Sequence, residues 1–552
     1  MTVPVGLSVP YTERRNEKTT QFDTLEVADS IAVLREVDRE IFDGFDGRSG
    51  LNEVAQQIAE LSERIAEQVR RGNVRRICLS GSGTSGRLCF LVSVLCQHVF
   101  GKNFVDYNIN GGLGAFVRSK AGIEDAYFKG VDEIEQLSDE ERKATLISVS
   151  CGLSAPYISG QLLAGLERIS GQVVAVGFNA PGMARREVRG ERYVSFYDML
   201  QTCSRSPDFA LLTPVVGPEA IAGSVRLKAG TGTLIALFAL CASVLRQVEG
   251  HHFSAVRHVQ DIIANAAEYV DMLYAQNSDI LQEAIGESAE AIRRRSSVHF
   301  LSNSVYGLIL IADCAECPPT FGARYDDFIG YCPPEAFELG RDARIEKMAG
   351  PPIPCSGDYK TNYSVARRRD DLFLNFGGSR GLWHDVNLPA LSVEMQARDK
   401  ARRYSIAMSQ STGSEIPSYA PFYRFLQFKC FMNALSTIAF SSTGKVYENV
   451  MVDLRISNTK LFDRSVGIVS EFCDISIDLA RTALLQSIYR CRDVAAVQEH
   501  PILAHVEAAA SAERVIPLAI VLAKNAELPI EKALAMVQSG QAIRKLELAD
   551  AN

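Results

Sequence analysis

The chain has no cluster of His, Cys and Asp at metal-ligand spacing, no basic stripe and no uninterrupted apolar stretch of membrane length. Each absence excludes a class of protein. Thirteen cysteines are scattered over 552 residues, and only Cys89 and Cys96 have a histidine, His98, close by in one helix-like run. Unpaired spacings of this kind read as buried free thiols of a reducing compartment, many of them in apolar runs (Cys78, Cys89, Cys96, Cys241). Nothing in them requires a metal or another cofactor. A net charge of −8 without a basic stripe argues against nucleic acid as a partner. Residues 1–20 have neither an apolar core nor a cleavage pattern, so no secretory leader is expected. The longest apolar run, residues 234–245, falls short of the roughly 20 residues that a membrane-spanning helix needs. The expectation is a cytoplasmic chain of two or three domains, with 47% hydrophobic and 22% charged residues as in ordinary globular proteins.

What is present is concentrated in Ser80-Gly81-Ser82-Gly83-Thr84-Ser85-Gly86-Arg87-Leu88. The segment follows a short apolar strand, Ile77-Cys78-Leu79, and runs into an apolar helix over 88–99. A strand, a Gly/Ser/Thr turn and a helix N-terminus together make an anion site, because glycines admit close backbone approach, hydroxyls add donors, and the helix end carries partial positive charge. Phosphate is the natural guest. The turn is not a Walker A loop, since no lysine follows the last glycine. Nor does it read as a dinucleotide fingerprint, which needs an acidic residue on the following strand.

Apolar-periodic helices alternate with short β-rich runs, predicting α/β units built on parallel sheets. Helix is expected over about 26–70, and strands over 77–79, 144–150 and 172–178. A weaker copy follows: strand 298–301 before Ser302-Asn303-Ser304-Val305-Tyr306-Gly307, a turn that has lost most glycines, then strand 372–376 before Gly377-Gly378-Ser379-Arg380-Gly381, and Gly413-Ser414 before a helix over 421–440. Beyond about 480 the pattern is helical to the end. Two carboxylates draw attention: Glu124 in Gly122-Ile123-Glu124-Asp125, and Glu316 in Ala315-Glu316-Cys317-Pro318-Pro319, expected to end its helix where the prolines stop it. Ser150 and Ser154 are candidate helix caps, and Lys460 taken alone is another surface lysine. His299, at the end of a strand, reads as a packed core residue.

Taken jointly, these segments resemble the sugar isomerase (SIS) superfamily, and within it the bacterial N-acetylmuramic acid 6-phosphate etherases and the animal glucokinase regulatory proteins. Residues 83–88, 122–125, 154–157 and 223–231 match etherase motifs in the first half, and 315–322 and 444–453 match others in the second. Motifs that an etherase subunit carries once are thus split over a fused pseudo-dimer, the organisation of the regulatory proteins. Residues 152–156 and 458–462 resemble the latter specifically. The resemblance implies two tandem SIS domains (parallel-sheet αβα sandwiches) and a C-terminal all-helical cap. The expected limits are 1–45 for a segment packing with the cap, 46–270 and 271–445 for the two SIS domains, and 446–552 for the cap.

The same resemblance implies one fructose phosphate, the 6-phosphate or the 1-phosphate, bound between the domains. Gly83, Thr84 and Ser85 would hold the phosphate, with Ser150 and Ser154 adding donors. Glu124 and Glu316 would accept from sugar hydroxyls, Lys460 would reach in from the cap, and Ser224 and Thr231 would line the cleft at a helix N-terminus. The loss of glycines at 302–307 predicts a single site. A glucokinase or hexokinase is the implied protein partner, and the internal duplication favours a monomer; by analogy the nucleus joins the cytoplasm as a location. In the etherases the residues matching Glu316 and Glu124 are acid and base of the ether cleavage. The fused length, Gly152-Leu153-Ser154-Ala155-Pro156-Tyr157 in place of the etherase segment, and the cap with Lys460 favour a regulator.

Overall fold

The computed structural model of the chain describes residues 9–549, apart from 102, 121, 188–193, 333–335, 337–370, 378–384, 386–389, 398–399, 408–418, 457–458 and 510–511. Two helices open it, α1 (Val27–Asp43) and α2 (Leu51–Arg70). In α2 the residues Leu51, Val54, Ala55, Ile58, Leu61 and Ile65 form one buried stripe three and four apart, while Glu53, Glu60 and Glu63 are exposed. The helical region expected over 26–70 is interrupted at Gly44, whose φ of +87° and close approach to the Arg48 carbonyl exclude a side chain.

β1 (Arg76–Gly81) then leads into α3 (Thr84–Phe100), and β2 (Val105–Ile109), β3 (Ala144–Val149), β4 (Val173–Val176) and β5 (Phe209–Leu212) follow. They form one sheet in the order β2-β1-β3-β4-β5, every pairing parallel. Parallel neighbours need crossovers, here supplied by α3, α4 (Leu113–Val117), α5 (Tyr127–Glu135), α6 (Pro156–Arg168) and α7 (Phe196–Cys203). The lobe closes with α8 (Lys228–Val248), packed on α2 and α3. Its 21 residues are long and apolar enough to cross a membrane by length and composition, unlike the run counted in the sequence, because Gly230, Thr231, Gly232 and Thr233 interrupt the run without lowering the helix average much. That apolar window is wholly buried in the lobe.

α9 (Ala255–Gln276) and α10 (Ser278–Arg293) lead to the second lobe: β6 (Val298–Leu301), α11 (Tyr306–Phe321), β7 (Phe328–Tyr331), β8 (Leu372–Phe376), β9 (Ala390–Ala397), β10 (Lys400–Ala407) and α12 (Ala420–Phe440). Its sheet runs β10-β9-β8-β6-β7. Among the described residues only β6 pairs in parallel, with β7 and β8; β9 is antiparallel to both neighbours. The two residues between β9 and β10 permit nothing else, since a parallel return needs a long crossover. These strands went unread in the sequence, although Leu391, Val393 and Met395 are buried and alternate with exposed Ser392 and Glu394, the signature of a one-sided antiparallel strand. Gly378, Ser379, Arg380, Gly381, Gly413 and Ser414 lie outside the described residues.

α12 is buried on every side, as expected of a helix clamped between layers. Phe422 on it stacks on Phe238 of α8, with ring centroids 3.8 Å apart and planes 4° apart. A hairpin, β11 (Val446–Tyr447) and β12 (Val450–Met451), then leads to helices only, from Thr459–Cys473 to Ile543–Ala549, sharing a separate core around Phe462, Leu484, Ile516 and Leu518. The N-terminal residues strap this cap to the first lobe. Asn16 donates to the Pro218 carbonyl (2.8 Å), Asn449 donates to the Asn16 carbonyl (2.7 Å), and Arg544 binds Asp23 through Nε (3.1 Å).

Candidate functional site

The turn between β1 and α3 is built by close backbone approach. A Cβ on Gly81 would lie 2.5 Å from the Gly86 amide nitrogen, and one on Gly86 would lie 2.6 Å from the Gly81 carbonyl. Gly83, at the N-cap, has φ +55°, a conformation costly for residues with a Cβ. No side chain caps α3, and its first intrahelical bond is from the Arg87 amide to the Gly83 carbonyl. The amides of Thr84, Ser85 and Gly86 therefore lie before that first bond, at the positive end of the helix dipole. Gly81, Gly83 and Gly86 do have G-x-G-x-x-G spacing, and Asp106 stands on the following strand, contrary to the reading above. Asp106 nevertheless sits opposite Cys78 in mid-sheet and is bound by Arg76 (2.9 Å), toward the N-terminal ends of the strands and away from the turn. It is not placed to read a ribose at the turn.

The second lobe meets this turn directly. Thr84 Oγ1 donates to Glu316 Oε1 (2.6 Å), across 232 residues of sequence. Arg87, one turn further along the same face of α3, binds the same Glu316 oxygen. Arg87 is 2% exposed, and its Nε and Nη2 donate to the carbonyls of Phe116 (2.8 Å) and Ala115 (2.7 Å) and to Ser119 Oγ (3.0 Å). Glu316 does not end its helix as expected. α11 continues through Pro318 and Pro319 to Phe321. Pro319 has no N–H for the Ala315 carbonyl, and Ser119 Oγ from the first lobe donates to that carbonyl instead (2.9 Å). The proline pair thus opens a docking point between lobes beside the glutamate. Arg87 and Ser119 were not singled out from the sequence; the spacing of Thr84 and Arg87 on one helical face was the available signal.

Ser85 is buried, its Oγ 3.5 Å from Cys151 Sγ, which brings the loop after β3 against the turn. In that loop Ser150 Oγ accepts from the amides of Ser154 (3.1 Å) and Ala155 (3.2 Å), so it caps the approach to α6, and its own proton has no acceptor among the described residues. Glu124 is exposed on a short 3-10 turn, Ile123–Asp125, and makes no hydrogen bond or ion pair among the described residues. Its backbone is tied to the turn through Asn110, whose amide donates to the Ile123 carbonyl (2.6 Å) and to Ser82 Oγ (3.3 Å). Asn110 is a second residue that sequence reading missed.

Ser224 and Thr231 lie in a buried seam. Thr231 Oγ1 accepts from Lys429 Nζ (3.1 Å), and Ser224 Oγ is buried without a partner. The nearby N-terminus of α8 offers no anion site, because Glu219 already accepts from the amides of Lys228 (2.7 Å) and Ala229 (3.0 Å). Lys460 stands in the first turn of Thr459–Cys473, and its side chain lies outside the described residues, as does Asn458. At the degenerate turn, Ser302 Oγ accepts from the Ser304 amide (3.2 Å), Ser304 Oγ from the Tyr306 amide (3.4 Å), and Gly307 is packed on Cys332. Two of that turn's amides are thus used internally. His299 is buried, stacked on Phe373 with centroids 4.7 Å apart, and burial lowers its pKa.

Burial pushes the Glu219 carboxyl up to about 7, Lys228 and the two amides pulling the other way. A carboxyl raised in the fold binds its proton more tightly folded than unfolded. Its contribution is therefore favourable at low pH and is lost as pH rises through about 4.5 to 7. Glu219→Gln, which cannot ionise, is expected to gain stability relative to the parent across that window and to run parallel to it above pH 7. Urea midpoints measured from pH 4.5 to 8 check this.

Residues 54–166 match the family model described as the glucokinase regulatory protein N-terminal SIS domain, and residues 448–546 match that of the C-terminal lid domain of glucokinase regulatory protein. The chain is 28% identical to the glucokinase regulatory protein of Xenopus laevis, over 93% of its own length and 89% of that protein. It is 26% identical to the human one, over 93% and 88%. An N-acetylmuramic acid 6-phosphate etherase of Mycolicibacterium smegmatis is 31% identical over 232 residues, 41% of this chain and 67% of that protein. With the parallel α/β lobe and its open turn, these place the chain in the SIS superfamily. Within it, the chain is a glucokinase regulatory protein-like member, related to the etherases.

Proposed function

We propose that this protein is a sugar-phosphate-responsive regulator that binds a fructose phosphate between its two SIS lobes and inhibits a glucokinase or related hexokinase in response. The contact that supports it most is Thr84 to Glu316, which joins an uncapped phosphate-type turn in one lobe to a carboxylate of the other. A phosphate at the amides of Thr84 and Ser85 competes for the Thr84 proton. Once Thr84 turns to the phosphate, Glu316 Oε1 loses one donor and is free to accept from a sugar hydroxyl. Occupancy of the turn is thereby felt by the second lobe. Gly83 supplies the turn its conformation, Ser150 and Ser154 add hydroxyls, Glu124 reads the ring from the first lobe, and Lys460 brings a charge from the cap. The ligand shifts the cap only by binding its two positions unequally.

The similarity to regulatory proteins over 93% of the chain favours this reading over an etherase, to which 41% to 52% of the chain is similar. Assaying a cognate glucokinase with this protein, with and without fructose 6-phosphate or fructose 1-phosphate, tests the proposal. Inhibition altered by one of the sugar phosphates is expected. No inhibition under any condition removes the regulator reading, and D-lactate release from N-acetylmuramic acid 6-phosphate that Glu316→Gln abolishes would establish the etherase in its place.

A further inference from the structure

Where the second lobe meets the cap lies a cavity of about 180 Å³ whose charge is opposite in sign to that of the chain as a whole. Arg293, Arg295 and Arg324 reach its wall from the lobe, Lys445 and Arg455 from the hinge around β11 and β12, and Arg514 from the cap. Against these six cations stand three carboxylates, Asp327, Asp453 and Glu513. Asp453 is shared by Lys445 (2.9 Å) and Arg514 (3.3 Å), Glu513 faces Arg295 (3.1 Å), and Asp327 faces Arg324 (2.9 Å). With Glu290 beside Arg293 (3.5 Å) and Asp326 beside Arg324 (3.3 Å) also counted, an excess of one positive charge remains in a chain of net charge −8. Arg455 is exposed and makes no hydrogen bond or ion pair among the described residues.

The backbone adds an independent observation. Arg295 and Arg514 hold φ of +56° and +58°, the left-handed region that glycine ordinarily fills. A residue with a Cβ is strained there, and both line the same cavity. Residues 444–453, a motif to which the sugar-phosphate site gives no role, supply Lys445 and Asp453.

We propose that this cavity binds a compact phosphorylated anion, at a site separate from the turn at 80–86. Guanidinium groups grip phosphate oxygens in two-pronged fashion. The volume falls below the roughly 300 Å³ at which pockets for larger ligands begin, which suits a group the size of pyrophosphate. A guest held by Arg295 and Arg324 on one side and Arg514 on the other binds only while cap and lobe are docked, so it favours the docked arrangement.

Calorimetric titration of inorganic pyrophosphate into the full chain at low ionic strength, where screening is weak, tests this. Arg455→Glu and the double variant Arg295→Gly/Arg455→Glu are compared with the parent. Arg295→Gly relieves the left-handed backbone, and the pair with Glu513 that it gives up is exposed, 56% and 55%, so the variant is expected to melt no lower than the parent. The expected result is one equivalent of pyrophosphate bound by the parent at this site, weakened at least tenfold in Arg455→Glu and lost in the double variant. No pyrophosphate binding by the parent, or equal binding by parent and both variants, overturns the proposal; the latter result assigns the anion to the turn instead.

Discussion

Asp313→Ala is expected to lower the unfolding free energy by about 3–5 kcal/mol, the cost of stranding a buried guanidinium. Arg226 and Asp313 join the lobes in a seam where their side chains are only 3% and 5% exposed. Arg226 Nη1 donates to Asp313 Oδ1 (2.7 Å) and Nη2 to Thr437 Oγ1 (2.8 Å), while Ser436 Oγ donates to the same aspartate oxygen (3.2 Å). The other aspartate oxygen is buried without a partner, and burial pushes the Asp313 carboxyl up against the pull of Arg226. Such a pair is costly to break yet adds little over an apolar filling. Arg226→Met/Asp313→Leu is accordingly expected to recover most of the loss. Urea unfolding reads both as midpoint shifts at constant slope. A single variant with the parent's midpoint would contradict a buried, mutually dependent pair.

Ser85→Glu is expected to abolish the stabilisation by sugar phosphate. Ser85 is 6% exposed in the first turn of α3, where a carboxylate would sit among the amides that the phosphate needs and repel it. Fructose 6-phosphate at a hundred times its dissociation constant should stabilise the parent by about 2.7 kcal/mol, read as a rise in melting temperature. Ser85→Glu should show no rise, while Ser85→Ala, which fits the space and keeps the amides, should show a reduced one. An undiminished rise in Ser85→Glu would place the ligand elsewhere.

Much of the first lobe was legible because it depends on contacts close in sequence. The glycines at 81, 83 and 86, the strands on either side of Ser150 and the helix they feed are local features, and periodicity reports local features well. β2 and β5 were missed because each is short and flanked by polar residues. β9 and β10 were missed although they alternate, since expecting a repeat of the first lobe led to parallel strands. Glu316 was found as a residue but placed wrongly in its helix. Consecutive prolines usually stop a helix; here the carbonyl that Pro319 leaves unpaired is satisfied by Ser119, 196 residues away in sequence.

By itself the chain's order of residues determined that a glycine-rich strand-turn-helix segment exists, that its counterpart at 302–307 has lost most glycines, and that two α/β units precede a helical end. Those follow from steric and hydrogen-bonding rules acting within a few residues of each position. Only the tertiary structure decided which groups face the turn: that Thr84 spends its proton on Glu316, that Arg87 braces the same carboxylate, that Glu219 closes the N-terminus of α8, and that arginines of lobe and cap converge on one cavity. Each of these depends on desolvated groups far apart in sequence finding partners, a requirement that arises only when the lobes are packed together.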